Sequence, residues 1–131
     1  MSDETFTGIN IQFPISSDIL SGKKTIETRT YPIPKAYLGV TMLVVETPGP
    51  KGKFKSRIVA KIRFSECFLY SSKKHFYGDS KKHLVTPESP WAWADKPKWG
   101  WVINFVEVLA EPVKPGKIGI RYTKNLRLKS R

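Results

Sequence analysis

The sequence predicts a mainly β domain of the α+β class, a small barrel of about five or six strands with a few short helices at its side. Several stretches alternate apolar and polar residues, which is typical of strands with one buried face. Proline and glycine interrupt the chain at close intervals, as in a strand-rich fold. The 131 residues are 40% hydrophobic, enough for one core. We therefore expect residues 1–131 to form a single domain.

The first third of the chain predicts a strand, a short helix and a second strand. GINIQF alternates isoleucine and phenylalanine with polar residues, as in a half-buried strand. SSDILSG predicts one or two helical turns, with Ser16 or Ser17 as the cap and Gly22 as the left-handed end. TIETRTY is rich in threonine and stops before a proline, which favours a strand.

Strand alternation in TIETRTY also predicts which side chains share a face. Glu27, Arg29 and Tyr31 fall on one side, whereas Lys24 falls on the other. We therefore expect a convergent polar face that excludes Lys24.

The rest of the chain predicts three more strands. VTMLVV is continuously apolar, as in a strand buried on both faces, and RIVAKIRFSECF buries one face while displaying Lys61 and Arg63 on the other. WVINFVEVL is expected to be the last long strand, followed by a short basic end at about 121–131.

The charge is strongly positive and unevenly distributed. Lys and Arg number 23 against 11 Asp and Glu, a net charge of +12. The first 22 residues contain three acids and no base, so the excess lies in the remainder. Such a field attracts nucleic acid, although an acidic protein or an anionic membrane would also satisfy it.

The cysteine count and the apolar pattern favour a cytoplasmic location without a membrane span. Cys67 is the single cysteine, so no intramolecular disulfide can form. MSDETF lacks the basic and apolar regions of a signal peptide, and no apolar run approaches the roughly 18 residues of a membrane span.

A specific motif coincides with the predicted helix and second strand. Gly22, Lys24, Glu27 and Arg29 are spaced as in the GxKxxExR signature, and the segment resembles that of the ASCH domain family. FPISSDILSGKKTIETR resembles the family's opening elements in order. SRIVAKIRFSECF and GWVINFVEVLAEP resemble its barrel strand and its closing strand. The resemblance implies a PUA-like β-barrel.

The resemblance also implies a cleft beside the barrel, suited to RNA or a modified nucleoside. ASCH proteins are regarded mainly as RNA-binding or RNA-associated modules, and some are ribonucleases. One bacterial branch hydrolyses N4-acetylcytidine with a lysine, a threonine and a glutamate. The lysine corresponds to Lys24, but Glu27 occupies the threonine's position. Glu66 and Glu88 are both candidates for the third residue.

The chemistry of the motif residues is consistent with a cleft. Arg29 can form paired bonds to phosphate or carboxylate, and Glu27 can accept from a base amino group or orient a water. Lys24 supplies a charge and, if desolvated, could act as base or nucleophile. Lys23 is expected to be a solvated neighbour. The alternative is a surface ion pair between Glu27 and Arg29, which would contribute little energy.

Four tryptophans in PWAWADKPKWGW are candidates for stacking on bases. Trp91, Trp93 or Trp99 could stack on a base for about 1–3 kcal/mol each, as could Tyr31. Packing is the alternative for the tryptophans, and Trp101 is expected in the core.

A histidine-containing stretch raises the question of a metal. His75, Asp79 and His83 would share one helical face, but four nearby lysines would repel a cation. We expect a solvated or phosphate-facing basic stretch, with no metal. The sequence also contains no phosphate-binding loop, dinucleotide glycine motif or GxSxG elbow, and no cofactor is expected.

The preferred hypothesis is therefore an RNA-binding or other nucleic-acid-binding module with a basic cleft. Its predicted contact residues are Lys23, Lys24, Glu27, Arg29, Tyr31, Lys61, Arg63, Trp91, Trp93 and Trp99. The alternative is a small hydrolase acting on RNA or a modified nucleoside, in which Lys24 and Glu27 are catalytic. A third hypothesis is a protein-interaction module with an acidic partner.

Overall fold

A computed structural model describes residues 3–129. The strands are β1 (Asp3–Gln12), β2 (Ile26–Arg29), β3 (Met42–Thr47), β4 (Arg57–Leu69), β5 (Trp99–Val113) and β6 (Tyr122–Lys129). The helices are α1 (Ile15–Leu20), a 3₁₀ turn (Lys35–Tyr37), α2 (Lys73–Gly78) and α3 (Ser80–His83).

The six strands form one mixed sheet in the order β2-β5-β4-β3-β1-β6. β1 and β3 are parallel, and the other neighbours are antiparallel. This architecture confirms the predicted mainly β class with five or six strands and short helices. The ladder as described is open, because no strand pairing joins β2 to β6 within residues 3–129.

The basic end of the chain contains a strand that the sequence did not predict. β6 pairs with β1, and Leu126 is buried against a second small core. Asn125 has a φ of +59°, and the register shifts between Phe6 and Gly8 on β1. This irregularity and three basic residues obscure the apolar alternation of β6. The last strand is therefore β6, whereas the sequence predicted β5.

The main core lies on one face of the sheet. Its fully buried side chains include Ile9, Ile11, Ile19, Met42, Val44, Ala60, Ile62, Phe64 and Trp101. Trp101 therefore packs in the core as predicted. Leu43 and Val45 point to the second core, which confirms that β3 is buried on both faces.

α1 begins at Ile15, before either of the predicted cap residues, and has a different cap. Pro14 occupies the N-cap position, and no side chain caps the helix. Ser16 is instead buried, and its hydroxyl donates to Glu46 Oε2 at 2.5 Å. Gly22 has a φ of +84°, the left-handed conformation predicted after the helix.

The basic stretch 73–83 is less solvated than predicted. The His83 ring is fully buried and stacks on Phe76, with centroids 4.2 Å apart. Asp79 accepts a hydrogen bond from the Tyr70 hydroxyl at 2.8 Å. His75 accepts a hydrogen bond from the Ser71 backbone N–H at 3.1 Å, so all three residues considered as metal ligands have structural partners. Among the described residues no three His, Cys, Asp or Glu side chains group as metal ligands.

The helices of residues 3–129 are all too short or too polar to cross a membrane.

The open part of the sheet is linked by side chains. β6 pairs with β1 only as far as Ile9, so the end of β1 has no β6 partner. Arg29 from β2 donates through Nη2 to the Asn10 backbone carbonyl at 2.9 Å. The Arg121 guanidinium lies 4.1 Å from the centre of the Tyr31 ring. We call this junction between β2 and the β1–β6 edge the seam.

Candidate functional site

A cavity of about 410 Å³ lies at the seam. Its walls come from the ends of β1 and β2, from α1, from the connection between α3 and β5, and from the residue before β6. This volume falls within the range of small-molecule sites, typically about 300–1,000 Å³. We refer to it as the seam pocket.

The seam pocket brings together half of the predicted contact residues. Those that line it are Lys24, Glu27, Arg29, Tyr31 and Trp91. Those that do not line it are Lys23, Lys61, Arg63, Trp93 and Trp99. The candidate third carboxylates, Glu66 and Glu88, also lie outside its lining, whereas Asp18 is part of it.

Lys24 lies on the pocket side, contrary to the prediction that it faces away from Glu27. β2 begins only at Ile26, so strand alternation does not apply to Lys24. Its backbone N–H donates to the Asp18 carbonyl at 3.0 Å, and its ammonium donates to the His83 carbonyl. The ammonium is 3.8 Å from Glu27 Oε1. Burial lowers the pKa of Lys24, although Glu27 and Asp18 act in the opposite direction.

Glu27 is fixed by Arg29 through one of its two oxygens. Oε2 accepts from Arg29 Nε at 3.1 Å and from Nη2 at 2.9 Å. Oε1 accepts no hydrogen bond from residues 3–129, and its nearest cation is Lys24. One carboxylate oxygen in the pocket wall is therefore available to a ligand.

Arg29 is used mainly inside the protein. Besides Glu27 and the Asn10 carbonyl, it donates through Nη1 to the Tyr31 hydroxyl at 2.9 Å. Burial acts to lower the pKa of Arg29, but Glu27 and Tyr31 outweigh it and raise the pKa. Four of its five N–H groups are engaged, so Arg29 shapes the pocket more than it offers paired bonds to a phosphate.

Asn10 joins the seam to the loop that precedes β6. Its side-chain amide donates to the Gly119 and Ile120 carbonyls at 2.9 and 2.8 Å. Its backbone N–H donates to the Arg121 carbonyl at 2.9 Å. The loop is thereby held so that Arg121 lies over Tyr31 at the pocket.

His83 supports the wall on which Lys24 rests. The Val85 backbone N–H donates to His83 Nδ1 at 2.9 Å, which leaves Nε2 as the protonated nitrogen facing the Phe76 carbonyl at 2.6 Å. Burial lowers the pKa of His83, and the neighbouring Lys24 adds to this effect. His83 is therefore a neutral structural residue whose carbonyl holds Lys24.

Two cations of the seam pocket, Lys98 and Arg121, were not among the predicted contact residues. Lys98 directly precedes β5, and Arg121 directly precedes β6. The sequence contained a weak signal for each, since Lys98 lies among the tryptophans and Arg121 opens the basic end. Lys98 and Arg121 line the same pocket because β5 and β6 both begin beside the seam. No local sequence pattern specifies that arrangement of the two strands.

The two basic residues predicted on β4 lie on the far side of the sheet from the pocket. Lys61 extends over the Phe6 ring, 5.6 Å from its centre. Arg63 donates to Thr41 Oγ1 at 2.8 Å and lies 4.7 Å from the centre of the Phe105 ring. Their aliphatic and guanidinium groups cover apolar surface there.

Three tryptophans pack as structural residues, and one borders the pocket. Trp93 lies 5.6 Å from the Phe76 ring, and Trp99 packs against the main core beside Trp101. Trp91 is 42% exposed, and its backbone N–H donates to the Ser89 hydroxyl at 3.0 Å. Trp91 is therefore the most exposed tryptophan of this segment and the one that lines the pocket.

The fold of this chain is similar to that of ASCH domains. Solved structures support this assignment. The crystal structure of ASCH from Zymomonas mobilis matches with a TM-score of 0.64 and 14% sequence identity, over 82% of this chain and 71% of that chain.

Two mutants of the Zymomonas mobilis protein give similar matches. A tyrosine-to-phenylalanine mutant has a TM-score of 0.60 and 14% identity, over 84% of this chain and 76% of that chain. A serine-to-alanine mutant has a TM-score of 0.61 and 13% identity, over 86% of this chain and 76% of that chain. The predicted ASCH resemblance is thus confirmed at the level of the fold. No protein-family model and no curated protein sequence matches the chain.

Proposed function

We propose that this chain binds single-stranded RNA and holds one nucleotide in the seam pocket. The observation that carries this proposal is the convergence of an exposed tryptophan, a buried lysine–glutamate pair and additional cations in one cavity. Single-stranded RNA is commonly recognised by stacking and by hydrogen bonds to base edges, supported by cations that contact the backbone.

The Lys24–Glu27 pair offers complementary groups to a base edge. The ammonium is a donor and Glu27 Oε1 is an acceptor, and the two atoms are 3.8 Å apart. Every nucleobase presents neighbouring donor and acceptor atoms at its edge, so this pair suits a base without selecting one.

Trp91 supplies the stacking surface in this proposal. Trp91 lines the pocket and is 42% exposed, so a base can reach it. A base stacked on an aromatic side chain gains about 1–3 kcal/mol.

The test measures fluorescence anisotropy of a labelled RNA of about eight nucleotides, a length within the usual range for a single-strand site. Wild type should bind with log affinity falling linearly as log salt rises, because bound cations displace counterions from the RNA. Trp91→Ala should weaken binding by about 1–3 kcal/mol. Trp93→Phe is the matched control, since Trp93 packs on Phe76 and its replacement keeps an aromatic ring.

Two outcomes would count against RNA binding at the pocket. Affinity that stays constant between low and moderate salt would argue against a polyanion ligand. Equal affinities for wild type and Trp91→Ala would place the RNA elsewhere on the basic surface. Binding of an acidic protein without any RNA binding would favour the protein-interaction hypothesis.

A second candidate function is a hydrolase acting on RNA or on an N-acylated nucleoside, and a specific observation favours it. Burial lowers the pKa of Lys24, so a larger fraction of the amine is neutral than in solvent. A neutral Lys24 would accept a proton from water as the water oxygen bonds to the acyl carbon. The amide C–N bond would then break, and the proton would pass to the departing amine.

Turnover separates this function from binding alone. RNA and N4-acetylcytidine are incubated with wild type and with Lys24→Ala. A Lys24-dependent rate that rises with pH supports the base role, because deprotonation creates the base. If wild type changes neither substrate, the hydrolase function is abandoned.

A further inference from the structure

Lys98 is a buried lysine without a protein partner. Its residue is 6% exposed, and it lies in the wall of the seam pocket. The Tyr70 backbone N–H donates to the Lys98 carbonyl at 2.9 Å, which fixes its backbone beside the pocket. Among the described side chains, the Lys98 ammonium has no acidic group within ion-pair distance and no hydrogen-bond acceptor, and its nitrogen still reaches solvent.

The contrast with Lys24 shows that this arrangement is specific to Lys98. Lys24 has a similar exposure as a residue, 5%, but its ammonium has the His83 carbonyl and the Glu27 carboxylate. Burying a charge without a partner is costly, and the Lys24 ammonium is paired accordingly. The Lys98 ammonium lies in a cavity wall without a protein partner, so it is free to bind an anionic ligand.

The acids of the pocket do not supply the missing partner. Glu27 is shared between Arg29 and Lys24, and Asp18 forms no ion pair with Lys98. Arg121 adds a second cation without an acidic partner among the described residues, and its guanidinium lies on the Tyr31 ring. The pocket therefore has more positive charge than its own residues neutralise.

We propose that Lys98, assisted by Arg121, forms a subsite for a phosphate group, so that the pocket takes a phosphorylated nucleotide and not a free nucleoside. This inference rests on the proposed function, because it assumes that a base occupies the Trp91 side of the pocket. The phosphate is either the monoester of a nucleotide or the diester that joins a bound nucleotide to its neighbour.

The protonation of Lys98 is consistent with this subsite. Burial lowers the pKa of Lys98 in the protein without a ligand. A bound phosphate would favour the charged ammonium and raise that pKa again. Binding at alkaline pH should therefore take up a proton, which calorimetry detects as a heat that depends on the buffer.

The experiment compares four probes by calorimetry: cytidine, cytidine 5′-monophosphate, cytidine 3′-monophosphate and inorganic phosphate. Wild type should bind at least one monophosphate about 10- to 100-fold more tightly than cytidine, the range expected for hydrogen bonds to a charged group. Lys98→Met should abolish this preference, and Lys98→Arg should retain most of it. Lys96→Met is the matched control, because Lys96 is exposed on the same connection and does not line the pocket.

The probes distinguish the sources of the phosphate. A preference for one monophosphate with weak binding of inorganic phosphate supports a phosphate held next to a base. Tighter binding of the labelled RNA than of either monophosphate, still lost in Lys98→Met, assigns the subsite to a backbone diester. Both results support the proposal.

The failure of this inference differs from the failure of RNA binding. Equal affinities for cytidine and both monophosphates, or an unchanged preference in Lys98→Met, overturn the phosphate subsite while RNA binding stands. If the protein binds inorganic phosphate through Lys98 but binds neither RNA nor a nucleotide, the proposed function and the nucleotide subsite are both overturned. Lys98 would then belong to a simple anion site. Wild type that binds none of the four probes overturns the phosphate subsite, and the anisotropy measurement with labelled RNA decides the proposed function separately.

Discussion

Two buried glutamates in this protein, Glu27 and Glu46, each pair with an arginine, but they differ in how many of their oxygens the protein occupies. Glu46 Oε1 accepts from Arg57 Nε at 2.8 Å, and Oε2 accepts from Ser16. Glu27 directs a single oxygen to Arg29 and keeps the other toward the seam pocket. The Glu46 pair is therefore complete within the protein, whereas the Glu27 pair leaves an acceptor for a ligand.

This difference shows how one kind of ion pair can have two roles. Glu46 on β3 binds the Ser16 hydroxyl on α1 and the Arg57 guanidinium at the start of β4. This pair therefore connects three segments of the fold. The ion pair between Glu27 and Arg29 forms part of the pocket wall, and Arg29 also connects β2 to β1. The number of oxygens that the protein itself occupies distinguishes the two cases.

The largest expected effect comes from removing each arginine. Arg29→Met leaves Glu27 buried without its main partner and should lower the free energy of unfolding by about 3–5 kcal/mol. Arg57→Met should cost less, about 1 kcal/mol, because the Arg57 side chain is 38% exposed and water can replace it. Urea denaturation of both variants measures the difference. Equal losses would contradict the distinction between the two pairs.

The next effect concerns the hydrogen bond between α1 and Glu46. Ser16→Ala removes a donor to a buried carboxylate and should lower the free energy of unfolding by about 1.5–3 kcal/mol. RNA affinity should stay unchanged, since Ser16 does not line the pocket. Urea denaturation measures the loss of stability, and fluorescence anisotropy measures the RNA affinity. A weaker RNA affinity in the folded variant would show that the Glu46 region contributes to the site.

A smaller effect separates pocket cations from cations on the far side of the sheet. Arg121→Gln should weaken RNA binding about tenfold and reduce the salt slope by roughly one, as expected for one lost phosphate contact. Arg63→Gln should change affinity less than about twofold, because it removes a charge that faces Thr41 and Phe105. A larger loss of RNA affinity in Arg63→Gln would indicate that the RNA contacts β4.

The smallest effect is a pH-dependent gain in stability in Lys98→Met. Burial lowers the folded-state pKa of Lys98 below its ordinary 10.5, so the charged form is disfavoured in the folded protein. The variant should be more stable than wild type at neutral pH. This gain should shrink as pH rises through the folded-state pKa and disappear above 10.5. Thermal unfolding at several pH values tests it, and a gain that grows with pH would contradict the assignment.

Local patterns predicted much of the fold and part of the candidate site. Period-two alternation gave β1 and β4, and the GxKxxExR spacing gave Lys24, Glu27 and Arg29 as neighbours. The predicted orientation of Lys24 was wrong because the alternation of strand side chains was extended to a residue two positions before β2 begins. Strand periodicity is reliable only between the ends of a strand.

The remaining features depend on contacts that are distant in sequence. Lys98 and Arg121 reach the pocket because β5 and β6 start beside the seam, and Asn10 holds a loop more than 100 residues away. Trp91 and Trp93 share one motif, yet Phe76 covers one of them and leaves the other at the pocket. Composition cannot distinguish such residues, because packing partners from other elements decide their exposure.

The short length of β2 has a consequence for the dynamics of the protein. β2 has four residues and pairs with β5 along one edge, while Arg29 provides its link to β1. A strand with so few ladder bonds should open locally at a lower free energy than the central strands. A ligand held between β1 and β2 would oppose that opening. Pocket occupancy should therefore appear as slower amide hydrogen exchange at Glu27 and Thr28, with β3 unaffected.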